Sequence, residues 1–119
     1  MNDVSTPMMY LLEKFLDVAS QRQQLVAGNI ANVDTPGFRT KDIDFRSELQ
    51  RAVTTGPANL LPVVRPVGGL LERPDGNNVS MDREGLLLAE TQMQFGLGVQ
   101  LLRHEFQNLL MAINEGSKA

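Results

Sequence analysis

Cysteine is missing altogether from this 119-residue sequence, which excludes a disulfide framework and any thiolate-ligated metal. A cysteine-free chain tolerates reducing and oxidising space alike, so the redox compartment stays open. Tryptophan is absent, tyrosine occurs once and aromatics make up 5% of the chain. A core built from Leu, Val, Ala, Met and a few Phe favours helix-on-helix packing over a β-sandwich. Lys and Arg nowhere form a block and the net charge is −3, so the basic footprint of a nucleic-acid binder is lacking. No apolar run reaches the length of a transmembrane helix. The opening "MNDVSTPMMYLLEKF" carries no basic residue ahead of its apolar ones, and Glu13 and Lys14 interrupt them early. A secretory signal is not expected, and any route out of the cytoplasm would keep the N-terminus.

Candidates for chemistry are equally sparse. His104 is the only histidine and sits between Arg103 and Glu105; general acid–base and triad chemistry need a second positioned group, so it reads as a solvated or partner-facing helical residue. Asp42 with Asp44, and Asp82 with Glu84, lack a third ligand at metal-binding spacing and read as turn acceptors and helix caps. Gly68-Gly69 has no Lys-Ser/Thr after it and reads as a flexible turn rather than a phosphate loop. No catalytic, cofactor-binding or metal-binding residue is expected, and no small-molecule substrate.

What the sequence does contain is apolar periodicity at both ends. Leu12, Leu16, Ala19, Gln23, Val26, Ile30 and Val33 alternate four- and three-residue steps, an apolar seam with one polar insert. Met8, Leu11, Phe15, Val18 and Leu25 widen that face. A helix is expected from Thr6 or Pro7 to about Asn32, capped by Ser5 or Thr6. Leu88, Gln92, Phe95, Val99, Leu102, Phe106, Leu109 and Ile113 repeat the spacing, again with one glutamine. Either the glutamines lie on a solvated face or they fix helix register as buried polar residues do. Ser80 or Asp82 would cap this second helix, Asp82 and Glu84 would face its positive end, and Gly116 would stop it.

Between the two, Pro57, Pro62, Pro66 and Pro74 with Gly56, Gly68 and Gly69 preclude a long helix or central strand. "LPVVRPV" leaves room for short extended pieces, "RPDGNN" reads as a turn, and "DIDFRSELQRAV" permits a helix of about three turns. The expected fold is mainly α: two long terminal amphipathic helices packing as a coiled-coil-like pair around an irregular Pro/Gly-rich middle. A structureless connection of that length is unusual, so something must order it.

The stretch "NIANVDTPGF", Asn29 to Phe38, reads first as a helix stop. Asn32 can adopt a left-handed conformation, Asp34 and Thr35 can bond local amides, and Pro36-Gly37 suits the centre of a type II turn. Local physics leaves Asn29, Ile30, Ala31 and Phe38 unexplained. The whole stretch resembles the signature of the bacterial flagellar rod, hook and hook-associated axial proteins, with Asn29, Ile30, Ala31 and Asn32 matching its first half and Thr35, Pro36, Gly37 and Phe38 its second. The short length, terminal seams, "MDRE" at 81–84 and "AETQMQF" at 89–95 are similar to a short rod protein of the basal body.

That resemblance implies a structural subunit of the proximal rod, without enzymatic activity or cofactor, that is exported by the flagellar type III apparatus without a cleaved signal and polymerises helically in the periplasm. Residues 1–33 and 84–119 would form an inner tube through the seam positions, and residues 34–83 would lie outside it. Implied partners are further copies, other rod proteins, the membrane ring with its rod adaptor, and the export apparatus. A soluble helical adaptor or secretion chaperone shares the acidic, amphipathic character but gives no reason for "NIANVDTPGF".

Overall fold

Thr6 and Pro7 start the first helix as their chemistry dictates. In the computed structural model, which describes residues 6–56 and 61–118, the Thr6 hydroxyl oxygen accepts from the Met9 amide at 3.0 Å and Pro7 occupies the first turn of α1, Pro7–Ala31. The alternative cap, Ser5, and Pro57 in the middle segment lie outside the described residues. After α1 the chain makes a strand β1, Lys41–Ile43, a short helix α2, Phe45–Thr55, a strand β2, Val64–Pro66, and a long helix α3, Met81–Lys118. The strands pair antiparallel with Asp42 opposite Arg65, and this hairpin, with α2, supplies the order the middle segment needed.

The α2 helix has the three turns the sequence permits and begins at Phe45 because Asp44 takes the cap, its carboxylate accepting from the Ser47 amide at 3.2 Å. Two details differ from the sequence reading. Asn32 ends α1 at φ −103° and is not left-handed; its side-chain amide donates to the Gly28 carbonyl at 2.8 Å and satisfies the helix end without that conformation. Gly116 does not stop α3, which runs on to Lys118. At the other end Ser80 is the cap, its hydroxyl accepting from the Arg83 amide at 3.2 Å.

Helices α1 and α3 run antiparallel: Asn29 meets Glu84 at one end, and a Cβ on Gly98 would lie 2.7 Å from Leu16. Each step down α1 is a step up α3, so residue 6 stands level with about residue 107 and α3 continues past every described residue of α1. Met9, Leu12, Val18, Ala19 and Val26 are buried from α1, joined by Ile43, Ala52, Val79 and Leu87. Phe15, which also lies against Gly98 of α3, meets the Phe45 ring of α2 edge-on at 5.1 Å between centroids. The molecule measures 71 × 26 × 20 Å with a radius of gyration of 18.5 Å, against roughly 13–14 Å for a compact domain of this length. It is a slender rod.

Candidate functional site

The signature turn has a docking partner. Thr35 to Phe38 forms a tight turn, with the Phe38 amide donating to the Thr35 carbonyl at 3.2 Å and Gly37 at φ 74° in the third position, as the Pro-Gly pair requires. The Thr35 hydroxyl donates to Asn32 Oδ1 at 3.0 Å, a side-chain contact rather than the local amide bond expected of it. This turn packs on a second one, residues 73–78. The Gly37 amide donates to the Asp75 carbonyl at 2.8 Å, and Asn77 Nδ2 donates to the carbonyls of Asn32 and Thr35, each at 2.9 Å. Gly76, at φ 87°, lies back to back with Gly37, whose Cα is 3.4 Å from where a Cβ would sit. Asn78 Oδ1 takes the Thr40 amide at 2.7 Å, and Arg73 donates to the Val33 carbonyl.

Asn29, which local turn chemistry left without a role, is 2% exposed and serves three elements. Its amide nitrogen donates to the Lys41 carbonyl at 2.9 Å and to Glu84 Oε1 at 2.8 Å, while its oxygen accepts from the Lys41 amide at 3.2 Å. An asparagine is suited to this because it carries donor and acceptor on one planar group. Of the other signature residues, Ile30, Asn32 and Phe38 are half-buried, whereas Ala31, Thr35, Pro36 and Gly37 are exposed.

Beside Asn29 lies a charged cluster. Glu84, fully buried, also accepts from Arg83 at 2.7 Å. Arg83 reaches Asp42 at 2.5 Å, and Asp42 is held on its other side by Arg22 at 2.9 and 3.1 Å. Two guanidinium groups and two carboxylates thus join α1, β1 and α3. Burial by itself would raise the Asp42 pKa, but the Arg22 bond, the Ile43 amide and Arg83 outweigh it and hold the carboxyl below its ordinary value. Burial would likewise lower Arg83, yet its bonds to Glu84 and Asp42 carry it above the usual arginine value. The cluster is an internal brace with every charge engaged. The sequence reading took Asp42 and Glu84 as turn and cap acids; partners 20, 41 and 55 residues away are invisible to local pattern.

The seam positions divide. Leu12, Ala19 and Val26 are buried, and Leu16, Gln23 and Ile30 half-buried, against the body of the molecule. On α3 the residues that face α1 are Glu84, Leu87, Thr91 and Gly98. Leu88, Val99, Leu102 and Leu109 sit half-buried at the flank, and Gln92, Phe95, Phe106 and Ile113 are exposed. Gln92 therefore does not oppose Gln23 inside the hairpin. Val99, Leu102 and Phe106 with Met9 and Leu16 wall an open apolar groove of about 440 Å³, with Glu13 and Arg103 at its rim. Among the described residues no cluster could hold a metal ion, no helix is long and apolar enough to cross a membrane, and His104 is exposed.

Comparison with known proteins agrees with the signature. The sequence model of a family described as "Flagella basal body rod protein" matches residues 16–39, which include the whole turn. The flagellar basal body rod protein FlgB of Salmonella typhimurium is 30% identical over 126 aligned positions, covering 88% of this chain and 91% of that protein. The protein of the same name from Borrelia hermsii is 34% identical over 87% of this chain and 93% of its own length; that of Escherichia coli K12 is 30% identical over 88% and 91%.

Proposed function

The chain belongs to the family of the flagellar basal body rod protein FlgB, and on that premise we propose that this structural subunit of the rod polymerises through the apolar surfaces its two terminal helices leave open. The observation that carries the proposal is the α3 seam. Phe95, Phe106 and Ile113 are 40, 46 and 49% exposed, on a helix that extends past α1, and large apolar groups in such a row are covered when subunits meet.

In this reading residues 1–33 and 84–119 form the inner tube, and residues 34–83 lie outside it. The paired turns at 35–38 and 73–78 fix the direction in which the chain leaves the tube. Partners are further copies, other rod proteins, the membrane ring with its rod adaptor, and the flagellar export apparatus. The subunit reaches the periplasm through that apparatus, and it carries out no reaction.

Ile113→Asp tests this directly, because residue 113 is exposed and beyond the reach of α1. The purified variant should keep the helicity of the parent, and cells carrying it should fail to swim and yield basal bodies without the subunit. Wild-type swimming by the Ile113→Asp and Leu102→Asp strains would remove the seam from assembly. Recovery of the wild-type protein in the cytosol alone would favour an adaptor.

A further inference from the structure

Apolar area alone would turn α3 another way. The stripe it presents to α1, Glu84, Leu87, Thr91, Gln94 and Gly98, holds one large aliphatic side chain. The stripe of Leu88, Phe95, Val99, Phe106 and Ile113 lies roughly 80° further round at 3.6 residues per turn and is apolar but for Gln92. Burial of apolar surface drives helix pairing in water, so a specific interaction must hold the observed roll. The inward stripe even carries Gln94 Oε1, buried without a hydrogen-bond partner among the described residues.

Two features touch that inward stripe. Gly98 permits close approach to Phe15 and Leu16 and favours a roll that keeps it inward, but it forms no directional bond. Glu84 does select one. Rolling α3 by the angle that would bury the apolar stripe carries the carboxylate away from Asn29, 2.8 Å distant, and breaks the 2.5 Å contact of Arg83 with Asp42. Charged groups left unpaired in a buried site are costly, so this arrangement can outweigh the apolar one.

We propose that the Asn29–Glu84 and Asp42–Arg83 contacts are a latch that sets the roll of α3 and keeps its apolar seam at the open flank of the helix pair, for a second copy of the chain to bury. The last clause rests on the rod reading; the roll does not. The second copy is the occupant because the apolar row of α3 that walls the groove, Val99, Leu102 and Phe106, continues as Leu109, Leu110 and Ile113 in the unpaired end, residues 108–118. A copy displaced by 11 or 12 residues, roughly 17 Å at 1.5 Å per residue, lays that end along the groove of its neighbour. The displacement also brings Glu115 level with Arg103, neither of which makes an ion pair among the described residues.

Because the chain has no cysteine, introduced pairs report the roll without ambiguity. Val26→Cys with Leu87→Cys joins two buried positions at one level of the hairpin; Val26→Cys with Leu88→Cys samples the rolled state. With the latch intact the first pair should oxidise faster. In Glu84→Leu the ratio of the two rates should shift towards the second pair by about tenfold, the effect expected from losing one buried hydrogen-bonded group. Glu84→Gln, which keeps an acceptor for Asn29, should shift it less in the same direction, and it supplies the answer if the leucine variant does not fold. An unchanged ratio in a folded variant overturns the latch while leaving the rod reading intact. A shifted ratio in cells that still build rods and swim overturns the claim that the exposed seam serves assembly. A shifted ratio with lost assembly, while Ile113→Asp also blocks assembly, is the result the proposal requires.

Discussion

Two glycines two residues apart on α3, on opposite faces of the helix, have opposite roles, and no rule of helix propensity separates them. A Cβ at Gly98 would lie 2.7 Å from Leu16 Cδ2 and 2.9 Å from Phe15 Cδ1, and the Phe15 ring is pinned by Phe45, so room must be made by parting the helices. Gly98→Ala should destabilise the monomer by about 1–3 kcal/mol despite its better propensity. Gly96 has nothing within 4 Å, and Gly96→Ala should stabilise by up to about 1 kcal/mol. Urea midpoints of the two variants decide the matter, and equal shifts would disprove the close approach. Asn29→Ala removes the bonds to Lys41 and Glu84 and should cost about 2–3 kcal/mol, since buried partners are left unsatisfied. The importance of Asn29 was legible in the sequence only as a misfit to local turn chemistry. Its partners sit 12 and 55 residues away, and one sequence does not name them.

Among elements, the helices were legible because their signals are local: Thr6 and Pro7 at one start, Ser80 at another, and apolar spacing between. The hairpin of β1 and β2 was less so, because its strands are three residues each and carry no alternation long enough to read. Part of its order comes from α2, where Glu48, 3% exposed, accepts the Val63 amide at 3.0 Å and Arg51 at 2.6 Å. The joint between β1 and the long helices is electrostatic, and it predicts a pH dependence. Asp42 is held below its ordinary carboxyl value when folded, so the unfolded chain binds the proton more readily. Its contribution is therefore complete above the ordinary carboxylate range and is lost as pH falls through the lowered folded value. Thermal midpoints should hold from neutral pH down to about pH 5 and drop below about pH 4. In Asp42→Asn the protein should be less stable at neutral pH and its midpoint should fall less on acidification. A parallel fall in both proteins would remove Asp42 from the acid transition.

At the scale of the molecule, stability is distributed along a rod with one braced end. The paired turns, Asn29 and the charged cluster all lie where α1 ends and α3 begins; past residue 107 the last turns of α3 have no described residue of α1 opposite them. Few buried contacts mean low local opening free energy, and an isolated helix end of this length is marginal in water. Amides of Val18 to Asn29 and Glu84 to Thr91 should therefore exchange slowest with deuterium, and those of 108–118 fastest, in the dilute protein. The sequence carried the apolar character of that end in Leu109, Leu110, Met111 and Ile113, but not its lack of a partner, which depends on the antiparallel register and the unequal lengths of α1 and α3. If neighbouring copies cover it, raising the concentration until large species form should protect 108–118 and leave the braced end unchanged. Full protection of 108–118 in the dilute monomer would mean the chain covers its own helix end, and the surface assigned to assembly would have to lie elsewhere.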